Sequence, residues 1–130
     1  MKKVSVIICA YNEEKTVKDV ITSISELKIV DEIIVVNDGS TDRTQKIIED
    51  LKKEIVIRNI HLRKNKGKGY AMAVGVEQAL SDIVLFVDAD LSNLNDEHFC
   101  QLINPLFNNE ADMVLGQATE TLINYSINPF

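Results

Sequence analysis

A chain of 130 residues, 45% apolar and 26% charged, suits one soluble globular domain over residues 1–130, with little room for a second. Its formal net charge of −6 argues against a nucleic-acid-binding surface. No apolar run approaches the roughly 20 residues of a membrane span, and the first apolar run is too short for a signal peptide. We therefore expect no membrane span in this chain and a cytoplasmic location.

Apolar strands alternate with amphipathic helices along the chain. Strand-like runs cover residues 4–9, 32–36, 55–57, 83–87 and 113–115, and helical spacing covers residues 14–27, 42–53, 70–80 and 96–107. Because the strand-like runs are almost continuously apolar, they predict strands that are buried on both faces. The expected fold class is α/β, with an open, mostly parallel sheet and helices on both faces.

Polar segments follow four of these runs, at residues 10–14, 37–42, 64–69 and 88–92. In open parallel sheets, ligands bind in the crevice at the carboxyl ends of the strands. Asp88 and Asp90 follow the fourth strand, and two such carboxylates can hold Mg or Mn that bridges a diphosphate, although they also suit a turn. Asp38 can accept a hydrogen bond from a base or a ribose, while Gly39 is explained by a tight turn alone.

Other residues in these segments have ordinary structural explanations. Asn12 is a fair N-cap for the first helix, and Ser40 or Thr41 for the second. The segment 66–69, Lys-Gly-Lys-Gly, lacks the pattern of a P-loop or a dinucleotide fingerprint, yet it could face a phosphate as easily as it could form a solvated turn. Cys9, Cys100, His61 and His98 have no partners at metal or triad spacing, so we expect structural or surface roles for them.

Taken together and in this order, residues 3–92 resemble the family 2 glycosyltransferases, which have the GT-A fold. Residues 4–14 and 31–42 resemble the first two strand and loop units of that family, residues 65–69 its basic glycine loop, and residues 87–90 its metal motif. The resemblance implies an inverting, metal-dependent transferase that uses a nucleotide sugar, with a UDP-sugar slightly preferred over a GDP-sugar.

The resemblance also implies roles for individual residues. Nucleoside contacts would come from Tyr11, Glu13 and Asp38. Lys68 would lie near the nucleotide, Asp88 would face the ribose or the metal, and Asp90 would bind Mn or Mg. The metal would neutralise charge on the departing nucleoside diphosphate while an acceptor hydroxyl attacks the anomeric carbon.

The sequence departs from the family at two places. Cys9 stands where the family usually has proline. The second departure is that this sequence stops soon after the fifth predicted strand, whereas family members continue into an acceptor-binding region that carries the catalytic base. The catalytic base is therefore unknown here. We expect a truncated form, lacking the acceptor-binding region, that binds a nucleotide sugar and transfers it poorly or not at all.

Two alternatives stay open at this point. A nucleotidyltransferase also uses metal carboxylates on an α/β fold, although its glycine-rich basic loop is absent after the first strand. A non-catalytic regulatory or assembly module would keep the fold without turnover. Surface that the acceptor region would otherwise cover favours self-association, so a homo-oligomer is an expected partner state.

Overall fold

The computed structural model describes residues 2–91, 96–110, 113–114 and 126–127. The chain forms two compact units, Met1–Asn93 and Leu94–Phe130. The expectation of one domain over the whole chain stays a prediction. Among the described residues, no helix has the length and apolar character needed to cross a membrane.

Within the described residues, the first unit contains four parallel strands and three helices. In chain order they are β1 Val4–Ala10, α1 Val17–Ser25, β2 Glu32–Asn37, α2 Thr44–Leu51, β3 Arg58–His61, α3 Lys68–Gln78 and β4 Ile83–Asp88. The strands pair in the order β3-β2-β1-β4. This α/β sheet confirms the predicted fold class. Because β2 and β4 lie on opposite sides of β1, the strand order reverses beside β1, where sheets of this kind bind ligands.

The core of this unit forms on both faces of the sheet. Ile7, Ile34 and Val36 pack with Ala71 of α3 on one face, and α1 and α2 contact each other on the opposite face. Burial of each large apolar side chain in such a core stabilises the fold by about 1.5–3 kcal/mol. Helices therefore cover both faces of the sheet, which explains, as predicted, why the strands are almost continuously apolar.

Helix α3 approaches β1 closely at Gly75. A Cβ atom at this position would lie 2.5 Å from Cγ2 of Ile7, closer than real Cβ contacts allow. The absence of a side chain at Gly75 therefore sets how deeply α3 sits on the sheet.

The third strand differs from the sequence prediction. Residues 55–57 were predicted to form it, but β3 spans Arg58–His61. Val56 is 95% exposed, whereas Ile60 pairs with Val36 in the sheet and packs against the core. The predicted run is wrong because its apolar residues follow the end of α2, while the strand itself, Arg-Asn-Ile-His, is mostly polar and has Ile60 as its one apolar residue.

The helix starts also differ from the predicted bounds. The first helix begins at Val17 rather than at residue 14, because the Thr16 and Val17 N–H groups both donate to the Glu13 carbonyl in a preceding turn. Helix α3 begins two residues before the predicted position 70, directly after Gly67. Helix starts are the least determined part of a periodicity pattern, since a cap can lie on either side of the first apolar residue.

The second unit contains α4 Asp96–Phe107, which matches the predicted bounds and buries Phe99 and Ile103. Pro105 lies inside this helix and does not end it. Strand β5, Met113–Val114, pairs antiparallel with β6, Ser126–Ile127, a strand that the sequence pattern did not predict. The third residue of the predicted fifth strand, Leu115, lies outside the described residues.

Candidate functional site

A cleft of about 380 Å³ lies at the carboxyl ends of β1, β2 and β4, where the strand order reverses. All six residues that the sequence singled out line it, namely Tyr11, Glu13, Asp38, Lys68, Asp88 and Asp90. The rest of the lining comes from Cys9, Ala10, Asn65, Ala71 and Ala89. The structure thus brings every predicted site residue to one place, and their roles toward a ligand stay predictions.

The loops after β1 and β2 are joined by Asn12. Its Oδ1 accepts hydrogen bonds from the N–H groups of Thr41 at 2.8 Å and Asp42 at 3.3 Å, and its own N–H donates to Ser40 Oγ at 2.9 Å. Asn12 has a φ of 51°, a left-handed conformation that asparagine tolerates better than most residues. The prediction that Asn12 caps the first helix is wrong, because its side chain binds the neighbouring loop and Thr16 occupies the N-cap position.

Asp42 provides a second connection between the same loops. Its Oδ2 accepts the Glu14 N–H at 3.2 Å, and its Oδ1 accepts the N–H and hydroxyl of Thr44 at 2.9 and 2.6 Å. Burial opposes ionisation here, but the hydrogen bonds outweigh it and lower the pKa of Asp42. Asp42 therefore accepts the first N–H of α2, that of Thr44, while Arg43 occupies the N-cap position, so the prediction that residue 40 or 41 caps this helix is wrong.

Asp38 organises the basic loop that precedes α3. This carboxylate is only 4% exposed. Its Oδ1 accepts the Lys66 N–H at 2.8 Å, and its Oδ2 accepts the Gly67 N–H at 3.0 Å and the Asn65 amide at 3.2 Å. Backbone donors have no sequence signal, so the sequence analysis could not see that Asp38 holds this loop.

Gly39 allows the loop after β2 to lie against the same basic loop. It has a φ of 70°, and a Cβ atom there would lie 2.3 Å from the carbonyl carbon of Lys64. The predicted tight turn is therefore present, and the contact with Lys64 adds a second reason for glycine.

Lys68, the first residue of α3, forms an ion pair with Asp88, the last residue of β4. Both side chains are more than half exposed, at 62% and 51%. The hydrogen bond from the ammonium group to Asp88 raises the pKa of Lys68 above its ordinary value. Lys68 is therefore a permanent cation at the mouth of the cleft, within reach of Asp88 and Asp90.

Thr16 fixes the turn between the two aspartates. Its hydroxyl donates to the carbonyl of Ala89 at 2.8 Å and lies 3.3 Å from Oε2 of Glu13. Ala89 is almost fully buried, so this contact ties the start of α1 to the turn that carries Asp90. This role has no sequence signal, because residues 16 and 89 are far apart in the chain.

Cys9 lies on the wall of the cleft. Burial raises the pKa of its thiol to about 11, so the thiol is protonated at neutral pH and a poor nucleophile. Cys9 and Cys100 are both free and partly buried, which agrees with a packing role.

Comparison with known proteins gives a consistent match. The sequence matches the family model described as Glycosyl transferase family 2 over residues 5–126. Poly-beta-1,6-N-acetyl-D-glucosamine synthase of Staphylococcus epidermidis is 40% identical over 88 residues, which cover 67% of this chain and 21% of that protein. The Staphylococcus aureus protein of the same name is 34% identical over 91 residues, covering 69% and 22%. The chain spans about a fifth of the length of these relatives.

Solved structures are similar to the chain as well. A crystal structure of S. aureus TarS 1–349 has a TM-score of 0.71 and 31% identity, covering 85% of this chain and 34% of that chain. TarS 1–349 has also been solved in complex with UDP-GlcNAc. Glucosyl-3-phosphoglycerate synthase of Mycobacterium tuberculosis, in complex with Mn²⁺, UDP and glucosyl-3-phosphoglycerate, has a TM-score of 0.68 and 34% identity, covering 81% and 39%.

Proposed function

The chain belongs to glycosyl transferase family 2, and from this premise we propose that its cleft binds the nucleotide sugar of a glycosyl transfer reaction. The observation that carries the proposal is the convergence of six polar residues, from strand ends, loops and the start of α3, on one cleft. We prefer a UDP-sugar to a GDP-sugar, since the TarS complex contains UDP-GlcNAc and the mycobacterial synthase complex contains UDP.

The nucleoside would lie against the loops after β1 and β2. The Tyr11 side chain lines the cleft and is 45% exposed, which leaves a ring face for a base to stack on. An ionised carboxylate has about four lone-pair positions. Asp38 Oδ1 accepts one hydrogen bond from the described residues and Oδ2 accepts two, so Oδ1 has room for an N–H of the base. Glu13, which also lines the cleft, would accept a ribose hydroxyl.

The diphosphate would lie between Lys68 and the two aspartates. Asp88 and Asp90 supply hard carboxylate oxygens at the open side of the cleft, a donor set that fits Mn²⁺ or Mg²⁺. No group of three or more potential metal-binding side chains occurs among the described residues, so diphosphate oxygens and water would complete the coordination. The bound cation would neutralise negative charge on the departing diphosphate. The Mn²⁺ in the mycobacterial synthase structure supports this choice.

In the proposed reaction an acceptor hydroxyl attacks the anomeric carbon of the sugar, and the bond from that carbon to the diphosphate oxygen breaks with inversion. The described residues bind and orient the donor, and Lys68 places a positive charge beside the leaving diphosphate. The hydroxyl proton passes to a general base, a role that we assign to none of the cleft residues.

The test is calorimetric titration of UDP, UDP-GlcNAc and GDP-mannose into the protein with and without Mn²⁺, repeated on Asp90→Ala. We expect UDP compounds to bind in the presence of Mn²⁺ and Asp90→Ala to weaken this binding about 10- to 100-fold, since a charged contact is lost. Asp19→Ala, which removes an exposed carboxylate of α1, is the matched control and should bind normally. Absent UDP binding, or equal binding by Asp90→Ala, would contradict the proposal.

A further inference from the structure

We propose that His61 is a positioning residue for the nucleotide cleft and acts through Asn37 on the loop that carries Asp38. The inference rests on the proposed function, because the loop in question is the one assigned to the nucleoside. His61 does not line the cleft and lies on the face of the sheet covered by α2.

Three elements meet at His61. It ends β3 and pairs with Asn37, the last residue of β2. Its Nδ1 lies 3.0 Å from Asn37 Nδ2, and its Nε2 lies 2.7 Å from Oε1 of Glu49 on α2. Asn37 is 1% exposed, so its amide depends on protein partners to satisfy its hydrogen bonds.

The partners determine where the ring proton lies. A carboxylate can only accept, so Nε2 carries the proton and donates to Glu49, which leaves Nδ1 of the neutral ring as an acceptor for the Asn37 amide. Asn59 Nδ2 lies 2.7 Å from Nε2 and donates to the same Glu49 oxygen at 2.8 Å, so with Nε2 protonated the Asn59 amide hydrogen is directed to Glu49 and not to the ring. The hydrogen bond from His61 lowers the pKa of Glu49, which keeps the acceptor ionised. Among the described groups, Glu49 is the charged side chain that faces the ring, and Lys52 on the same helix acts on Glu49.

The orientation of the Asn37 amide connects this pair to the loop. Because Nδ2 donates to His61, Oδ1 faces the other way and accepts the Ser40 N–H at 3.3 Å. The Asn37 carbonyl accepts the N–H groups of Gly39 at 3.0 Å and Leu62 at 2.9 Å. The side chain and the carbonyl of Asn37 thus both hold the turn that contains Asp38.

Loss of the acceptor at Nδ1 would leave the Asn37 amide without this partner. The amide would then be free to turn, and Ser40 would lose the Asn37 Oδ1 that its N–H uses. The acceptor on His61 is in this way coupled to the geometry of the turn around Asp38. A purely space-filling ring would show no such coupling, and this difference makes the role testable.

Three substitutions separate the two ring nitrogens. His61→Asn can place an amide oxygen near the position of Nδ1 and so restore the acceptor for Asn37. His61→Gln can reach Glu49 in place of Nε2 but supplies no acceptor near Nδ1. His61→Phe keeps the ring shape and removes both contacts.

UDP affinity in the presence of Mn²⁺ is the first readout. We expect His61→Phe and His61→Gln to weaken UDP binding about tenfold, and His61→Asn to stay within about threefold of the parent chain. Equal affinities for all four proteins, or a loss in His61→Asn as large as the loss in His61→Gln, would overturn the inference.

The side-chain amide signals of Asn37 in a ¹H–¹⁵N spectrum give a second readout that needs no nucleotide. They should shift strongly in His61→Phe, with His61→Asn nearer to the parent. If these signals respond but UDP does not bind, the proposed function fails while the coupling of His61 to the loop stands. Signals that do not respond to His61→Phe overturn the inference even if UDP binds. Should His61→Phe fail to fold, the contrast between His61→Asn and His61→Gln decides.

Discussion

The two ends of the parallel sheet use carboxylates in opposite ways. At the amino end, Glu32 accepts hydrogen bonds from the Ser5 hydroxyl at 2.6 Å, Arg58 at 2.9 Å and the Leu80 N–H at 3.1 Å. At the carboxyl end, Asp88 has one ion-pair partner among the described residues, the half-exposed Lys68. The Glu32 carboxylate is therefore occupied by hydrogen bonds within the fold, whereas the Asp88 carboxylate remains accessible to a ligand.

Glu32 and Asp88 differ in how many of their lone pairs already accept hydrogen bonds from donors of the protein. Burial alone would raise the pKa of Glu32, but its hydrogen bonds and the charge of Arg58 outweigh this effect and lower it. Asp38 combines both situations, because it is buried and holds the basic loop yet keeps a lone pair on Oδ1. In the cleft, then, charged side chains such as Lys68 and Asp88 are exposed to solvent, while hydrogen bonds between the loops hold the backbone in place.

The strongest way to break this comparison is Gly39→Ala, which attacks the fixed backbone of the cleft. We expect a loss of about 2–4 kcal/mol in the free energy of unfolding, since alanine disfavours a φ of 70° and its Cβ would meet the Lys64 backbone. Urea denaturation measures this. The control is Gly69→Ala, where a Cβ would have no neighbour within 4 Å and α3 should gain slightly. Equal stability of the two variants would mean that the cleft backbone is pliable.

Glu32→Gln tests the closed charge at the amino end. We expect a loss of about 1–2 kcal/mol in stability at about pH 7, with UDP affinity unchanged. Because the folded pKa of Glu32 lies below its ordinary value of 4.5, its stabilisation is complete above pH 4.5 and is lost as the pH falls through the folded value. The gap between the parent and Glu32→Gln should therefore close at acid pH. A stability gap that is independent of pH would argue against an ionised Glu32 as the source.

Thr16→Val tests one of the hydrogen bonds that hold the cleft backbone, and its expected effect on stability is the smallest of the three. Valine keeps the shape but cannot donate to the Ala89 carbonyl, so we expect a loss of about 1 kcal/mol in stability and a several-fold loss in Mn²⁺-dependent UDP affinity. Thr16→Ser, which keeps the hydroxyl, is the matched control. If both variants bind UDP as the parent does, the turn that carries Asp90 holds its geometry without Thr16.

The sequence was informative where local pattern determines structure. Continuous apolar runs identified β1, β2 and β4, and their strand-end residues, Asp38 and Asp88 among them, could be assigned to one edge because parallel strands end together. The run at residues 55–57 misled because apolar residues can also follow a helix, as the exposed Val56 does. The strand that formed carries polar residues on one face, so it lacks the continuous pattern.

Contacts between distant loops could not be predicted in this way. Asparagine is a common helix-capping residue, and only the folded chain shows that Asn12 instead binds residues 41 and 42. His61 looked isolated because its partners Glu49 and Asn37 lie on other elements. Such pairings depend on strand order and helix placement, which a single sequence does not specify.

The close packing of Gly75 on Ile7 has a consequence for how this cleft could diversify. Helix α3 carries Lys68 at its start, and the contact under Gly75 sets the height of that helix above β1. A larger residue at position 75 would lift the helix and carry Lys68 away from Asp88 without altering any residue in the cleft. The width of the cleft is thus adjustable from a remote position in the core, with every residue that lines the cleft unchanged.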